Sequence, residues 1–398
     1  MNHLINGVHD PTIIEHERTF YLFSTDTNQP STSGVPIRSS KDCIHWNFEK
    51  TALENGVPPE AYAWTEAKGL WAPEVIRYNN EYRMYYSAST FGSTTSFIGL
   101  ATASHPLKEW TDQGEVVKTS RELAEHNAID ANICIDREGN QWLSYGSFFG
   151  GIYIAPIDKT SGKLKDSNNY GKLIAIRSAA VDGAIEGAFI YYNEKTDYFY
   201  LFVSFDSLNE TYSIRVGRAR EITGPYVDRN GNELTDLTKE PEIVGTKLLG
   251  SYQYLNDPPL YGPGHNSIFR RSDGVEMCVH HMRRAPYSED FFVVIRQLYW
   301  LSDGWPVVSA DFYQGDQPTV KIELEDFSGD WEIISFDKGN ELVVAVRHSL
   351  GDVVVDAGHY YCRFGEFVPY WQPSGDSIQL ELSGISDTGY AFIGRKLS

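Results

Sequence analysis

Cysteine, basic charge and long apolar runs are all scarce in this chain. Four cysteines, Cys43, Cys134, Cys278 and Cys362, are spread over 398 residues. None has the paired spacing of a zinc site or a redox motif. Free, packed thiols are expected, and with them a reducing compartment. The opening MNHLINGVHDP holds no apolar signal-peptide core, so the expectation is a cytoplasmic protein. A secreted protein stripped of its leader would read identically. No segment is long and apolar enough to cross a membrane, so no membrane partner is expected. Lysine and arginine number 34 against 54 aspartates and glutamates, for a net charge of −20. No basic run compensates, which excludes nucleic acid as a partner. Helical periodicity is scarce too. Oligomeric state is not legible.

What the chain has is β-strand signal and repetition. Hydrophobic residues make up 41% and aromatics 14%, enough for a large core. Five stretches share one grammar: HDPTIIEHERTFYLFST, APEVIRYNNEYRMYYSAST, IDANICIDREGNQWLSYGS, IEGAFIYYNEKTDYFYLFVS and GHNSIFRRSDGVEMCVHHM. Each has a polar residue near its start, then a short apolar strand, a turn, and a longer aromatic strand. The marked residues are Asp10, Glu74, Asp130, Glu186 and His265, spaced by 64, 56, 56 and 79 residues. That period suits about four strands per repeat, the unit of a β-propeller. If the first strand of each sheet lines a shared axis, the five residues converge there.

The fold class is therefore all-β, a five-bladed β-propeller over residues 1–317. From 318 to 398 the grammar is lost, and short alternating strands predict a small antiparallel barrel or sandwich. Third strands are read in SFIGLATAS, GIYIAPID and YSIRVGRAR, and closing segments in IHWNFEK, LKEWTDQGEVV and ITGPYVDRNGN. Residues 51–70 and 239–262 read as long loops before a first strand, placed to wall a cleft.

Asp10, Asp130 and Glu186 suggest chemistry. Two carboxyl groups flanking a glycosidic bond can hydrolyse it, one as acid and one activating water. A third, beside the acid, raises its pKa by like-charge repulsion. Taken singly, each could merely cap a turn; their recurrence at matching blade positions argues otherwise. His280 and His281, on the second strand of blade five, read as structural or as supports behind the site's own residues.

In this order the motifs resemble glycoside hydrolase family 43, and within it the arabinan-degrading enzymes. The resemblance rests on HDPTII, LWAPEV, NAIDANICIDREGNQWLSYGSFFGGIY, AIEGAFIYY and GPGHNSIF, and extends to QLYWLSDGWPVV. It implies an inverting hydrolase of α-1,5-linked arabinan or arabino-oligosaccharides, with Asp10 as general base, Glu186 as general acid and Asp130 as pKa modulator. Inversion needs room for a water, typically ~6.5–9.5 Å between carboxyls. His265 is implied to contact a calcium-like ion on the axis; no organic cofactor is implied. Trp71, Phe91 and Phe149 resemble sugar platforms, with Asn127 and Ser147 as hydroxyl partners. Two departures stand out: Glu74 where the family commonly has aspartate, and Ala131 after Asp130 where proline is common. The alternatives are a β-xylosidase or α-L-arabinofuranosidase of the same family, or a non-catalytic carbohydrate-binding propeller. Endo and exo action are both open.

Overall fold

The computed structural model describes residues 5–28, 33–339 and 341–397. Its second strands show why the chain folds as it does. In Glu81–Ala88, successive side chains point to opposite faces. Tyr82, Met84 and Tyr86 pack toward the first blade, and Tyr85 packs toward the third. Likewise Phe20 and Leu22 face the fifth blade while Tyr21 and Phe23 face the second. A strand covered on both faces needs apolar residues at nearly every position, and these aromatic runs supply them.

Five antiparallel blades result, four of four strands each and the third of five, where Lys163–Leu164 and Lys172–Ala175 both pair with Ile152–Asp158. They begin with the strands Thr12–His16, Trp71–Tyr78, Asn132–Ile135, Ile185–Asn193 and Tyr261–Arg270. An apolar cluster fills each of the five gaps between neighbouring blades. The circle is closed by the N-terminal segment. Gly7 N–H donates to Phe291 O at 2.9 Å, and Val293 N–H donates to Ile5 O at 3.1 Å.

The fourth blade departs from the sequence reading. ITGPYVDRNGN does not close its sheet; the outer strand is Thr246–Leu249, paired with Ser213–Ala219. The 239–262 stretch thus holds a blade strand and a second short strand, Tyr252–Gln253, rather than a plain loop. The 51–70 stretch contains a helix, Pro59–Thr65, with proline at its start and Glu66 in a left-handed conformation at its end.

Beyond the last blade strand, Pro306–Val308, a seven-stranded antiparallel sheet runs from Asp330 to Lys396. It is joined to the propeller rather than appended. Tyr252–Gln253 pairs in parallel with Val343–Val344, and Ile334, Phe336 and Ile393 share the apolar cluster of blades four and five.

Candidate active site

The first strands converge at one end of the axis, and there each blade holds a residue in left-handed backbone. These are Asp10 (φ 50°), Ala72 (φ 39°), Asp130 (φ 60°), Gly187 (φ 61°) and His265 (φ 47°). Four of the five carry a side chain in a region that favours glycine, and such strain persists only where the surroundings enforce it. The five residues marked in the sequence are therefore not equivalent. Asp10, Asp130 and His265 occupy the left-handed position, Glu186 precedes it by one residue, and Glu74 follows it by two. Irregular pairing in the first strands of blades two, four and five hides this register from simple spacing.

What enforces the strain is a ring of hydrogen bonds between neighbouring blades. Thr25 Oγ1 accepts the N–H of Ala72 at 2.8 Å, Ser87 Oγ accepts that of Asp130 at 3.0 Å, and Ser204 Oγ accepts that of His265 at 2.7 Å. At the corresponding place in blade three stands Gly146, whose N–H meets Ile129 O. It has no side chain to offer, and Gly187 N–H turns to Asp130 Oδ2 at 3.0 Å. In blade five His281 Nδ1 takes the N–H of Asp10 at 3.3 Å. Only His281 of this adjacent histidine pair reaches the axis. His280 is fully buried against Arg296.

Of the three carboxylates proposed from sequence, Asp10 is the most heavily bonded. Thr25 Oγ1 donates to its Oδ2 at 2.6 Å, His9 Nδ1 lies 2.9 Å from Oδ2, and His265 Nδ1 lies 3.1 Å from Oδ1. Burial alone would raise its pKa, but attraction to His265 and then His9 holds it well below the usual carboxylate range. Asp130 Oδ2 lies 3.9 Å from the same His265 Nδ1. Burial, partly offset by His265 and reinforced by repulsion from Glu186 and Asp10, pushes Asp130 up to about 7. Burial disfavours the His265 cation, yet Asp10 and Asp130 outweigh it and raise its pKa to about 10. Glu186 accepts from Ser147 Oγ at 2.7 Å and from Tyr212 Oη at 2.9 Å.

Glu74 lies below this layer. It accepts from Thr12 Oγ1 at 3.1 Å and from Asn132 Nδ2 at 2.9 Å, tying blade two to blades one and three. Burial raises its pKa to about 7. It holds blades together and has no part in the carboxylate cluster.

The remaining sequence candidates spread over the same face. Trp71 opens the first strand of blade two and is half-buried. Phe91 is 90% exposed at the tip of a turn. With Trp64 of the helix, Thr94 and Arg121 it lines a cleft of about 590 Å³. Phe149 is 43% exposed and follows Phe148, whose N–H donates to Ile185 O beside the Glu186 strand. Asn127 is buried and its Oδ1 accepts from Ser96. The Ser147 hydroxyl is committed to Glu186. Three residues that sequence reasoning missed, His9, Ser204 and Tyr212, also meet here; only their neighbours in space single them out.

A calcium-like ion finds one suitable donor. Asp10 accepts from His265 Nδ1, the arrangement by which a carboxylate orients an imidazole so that Nε2 can coordinate once a bound cation displaces its proton. Among the described residues, His265 belongs to no group of three or more close His, Cys, Asp or Glu ligand atoms. Among the described residues, the group whose ligand atoms lie within 4.8 Å of one another is His9, Asp10 and His281. There the His281 Nδ1 already takes the Asp10 N–H. The residues fit an ion held through His265 alone, with water completing the shell of a hard cation.

The model of the glycosyl hydrolases family 43 matches residues 2–306, which spans all five blades. The chain belongs to glycosyl hydrolase family 43. It is a glycoside hydrolase. An extracellular endo-α-(1→5)-L-arabinanase of Thermotoga petrophila is 32% identical over 370 residues, covering 83% of this chain and 76% of that protein. The family 43 protein YxiA of Bacillus licheniformis superposes with a TM-score of 0.86 at 27% identity, over 99% of both chains. A Cellvibrio cellulosa α-L-arabinanase complexed with arabinohexaose matches with a TM-score of 0.66 at 30% identity, over 77% of this chain and 96% of that one.

The Thermotoga relative is named extracellular, which overturns the cytoplasmic expectation. The physical reason lies in the thiols. Cys43, Cys134 and Cys278 are buried among apolar side chains, and thiols packed this way do not report the compartment.

Proposed function

We propose that this family 43 enzyme is an inverting endo-arabinanase that cleaves α-1,5-linked L-arabinofuranosyl bonds in arabinan and its oligosaccharides. One observation carries the reading: Asp10 and Asp130, from two blades, both contact His265, and the carboxylate of Glu186 from a third blade is close enough to act on both Asp130 and His265 by its charge. Asp10 takes the proton of the attacking water; Thr25, His9 and His265 keep its carboxylate aimed, and the two histidines keep it anionic. Glu186 protonates the leaving oxygen. The Ser147 and Tyr212 hydroxyls can each donate or accept, so they hold its carboxyl in either protonation state. Asp130 modulates the acid by its charge and, through Gly187 N–H, fixes the residue beside it.

Trp71 and Phe149 near the axis, and Phe91 farther out, supply flat apolar surfaces for pentose rings, with Asn127 and Ser147 ordering the walls. His265 holds the calcium-like ion, which supplies positive charge beside the carboxylates when bound. The enzyme acts outside the cell, as the Thermotoga relative's name suggests, where polymeric arabinan is accessible.

The test is product analysis on linear arabinan with the wild type, Asp10→Ala and Glu186→Ala, and anomeric NMR of the first product. Release of arabino-oligosaccharides with inverted configuration, lost in both variants, is expected. Xylose release without arabinose overturns the substrate; undiminished hydrolysis in either variant overturns the roles. Chelation followed by calcium addition should lower and then restore thermal stability in the wild type but not in His265→Ala.

A further inference from the structure

Three rings lie face to face behind the carboxylates. His281 packs against His9 with ring centroids 4.0 Å apart and a tilt of 31°, and against Tyr212 at 5.8 Å and 23°. The outer rings each end on a different carboxylate. His9 Nδ1 contacts Asp10 Oδ2 at 2.9 Å, and Tyr212 Oη donates to Glu186 Oε1 at 2.9 Å. The central ring has its own hold on Asp10, accepting its backbone N–H. An accepting Nδ1 places the ring proton on Nε2, so His281 is locked in one tautomer. Phe291 backs the stack, with centroids 4.6 Å from His9 and 6.3 Å from His281. Gly264 lies against the Tyr212 face, where any Cβ would fall 1.9 Å from the ring.

We propose that His9, His281 and Tyr212 form a rigid spacer that sets the separation of the two reacting carboxylates, with His281 as its positioning residue. The inference rests on the assignment of Asp10 and Glu186 as base and acid. Separation matters in an inverting hydrolase because one water must fit between base and sugar. The other blades show what is unusual here. A threonine or serine hydroxyl suffices to restrain Ala72, Asp130 and His265. Only at Asp10 is that task given to a ring, and a ring also transmits the position of Tyr212. The His281 Nε2 is buried without a partner among the described residues. Such a group destabilises the fold, and positioning is what it provides in return.

The experiment compares His281→Phe, which keeps a stacking ring and loses the acceptor, with His281→Asn, which keeps an acceptor and loses the stack. Tyr212→Phe, which loses only the hydroxyl, is the third variant. Each is assayed on linear arabinan and on an aryl arabinofuranoside with a good leaving group, alongside its Tm. Misplacement of reacting groups costs about 100-fold in rate. Both His281 variants should lose about that factor in kcat on both substrates, with KM little changed and Tm lowered but still well above the assay temperature. Tyr212→Phe should recover on the activated substrate, which needs less help from the acid. Wild-type kcat in both His281 variants, or a loss matched by a collapsed Tm in both, overturns the spacer. A wild-type enzyme inactive on both arabinosides overturns the substrate reading instead, and the variants are then compared on the glycoside it does cleave.

Discussion

Gly187 donates its backbone N–H to Asp130 Oδ2 at 3.0 Å, so a proposed catalytic carboxylate is also a structural acceptor between blades three and four. The two tasks separate by substitution. Asp130→Asn keeps an oxygen for Gly187 and loses the charge. Asp130→Ala loses both and leaves a buried N–H unpaired, at a cost of about 1–3 kcal/mol. Hydrolysis of linear arabinan should fall by about 100-fold or more in each. Only Asp130→Ala should show a clearly lower Tm, measured by calorimetry.

Glu74 predicts a pH dependence of stability. Its pKa is raised from 4.5 to about 7 by burial. Below the unfolded value it is protonated in both states, so its stabilisation is fully present. As pH rises toward 7 the unfolded chain ionises while the folded protein keeps the proton, and stability is lost. Above about 7 the loss stays constant, on the order of 3 kcal/mol at most. Glu74→Gln preserves partners for Asn132 and Thr12 and cannot ionise. Its Tm should exceed that of the wild type at pH 8 and converge with it near pH 4.5. A constant Tm difference across that range would sink the argument.

Much of this was readable from the residues, and the misses have physical causes. The aromatic strands such as FYLFVSF stand out because burial on both faces demands apolar residues throughout. Asp10 and Asp130 stand out because each opens such a strand pair. Glu74 was placed in the same set because spacing cannot reveal an irregular pairing; backbone φ shows that Ala72 holds the axial position. The outer strand Thr246–Leu249 escapes the sequence pattern because a looped insertion separates it from its partner strand, which ends at Ala219, 27 residues before Thr246. Tyr212 carries no signal of its own in a chain of 25 tyrosines. Ser87 and Ser204 are equally anonymous, since their role is defined by the neighbouring blade.

Phe149 offers a test of the sugar platform. It is 43% exposed while its backbone is pinned near Glu186 through Phe148. Phe149→Ala removes an exposed ring without opening the core, so Tm should stay within about 1 °C of wild type, as for surface changes in general. Loss of ring packing worth about 0.5–1.5 kcal/mol should raise KM for arabino-oligosaccharides by about 2- to 12-fold. Titration calorimetry with an inactive Glu186→Gln background would measure the same loss as a weaker Kd.

The C-terminal sheet carries the last prediction. Read from sequence, residues 318–398 look separable, because the repeat grammar stops before them. In the structure Ile334, Phe336 and Ile393 are buried against Leu248, Tyr252 and Trp305 of the propeller. Polar links reinforce the seam: Arg229 Nη1 donates to Ser386 O at 2.8 Å, and Ala310 N–H donates to Tyr370 Oη at 2.6 Å. Uncovering three large apolar side chains costs about 5 kcal/mol, comparable to the whole stability of many domains. A chain ending at residue 317 should therefore express poorly or melt far below the full protein, and should bind a hydrophobic dye. The hydrogen bonds and ion pairs described for Asp10, Asp130, Glu186 and His265 all go to residues before 318, so whatever fraction of the fragment folds should retain its kcat per active site, as counted by active-site titration. A soluble fragment with the full protein's Tm would show that the shared core contributes nothing to the propeller.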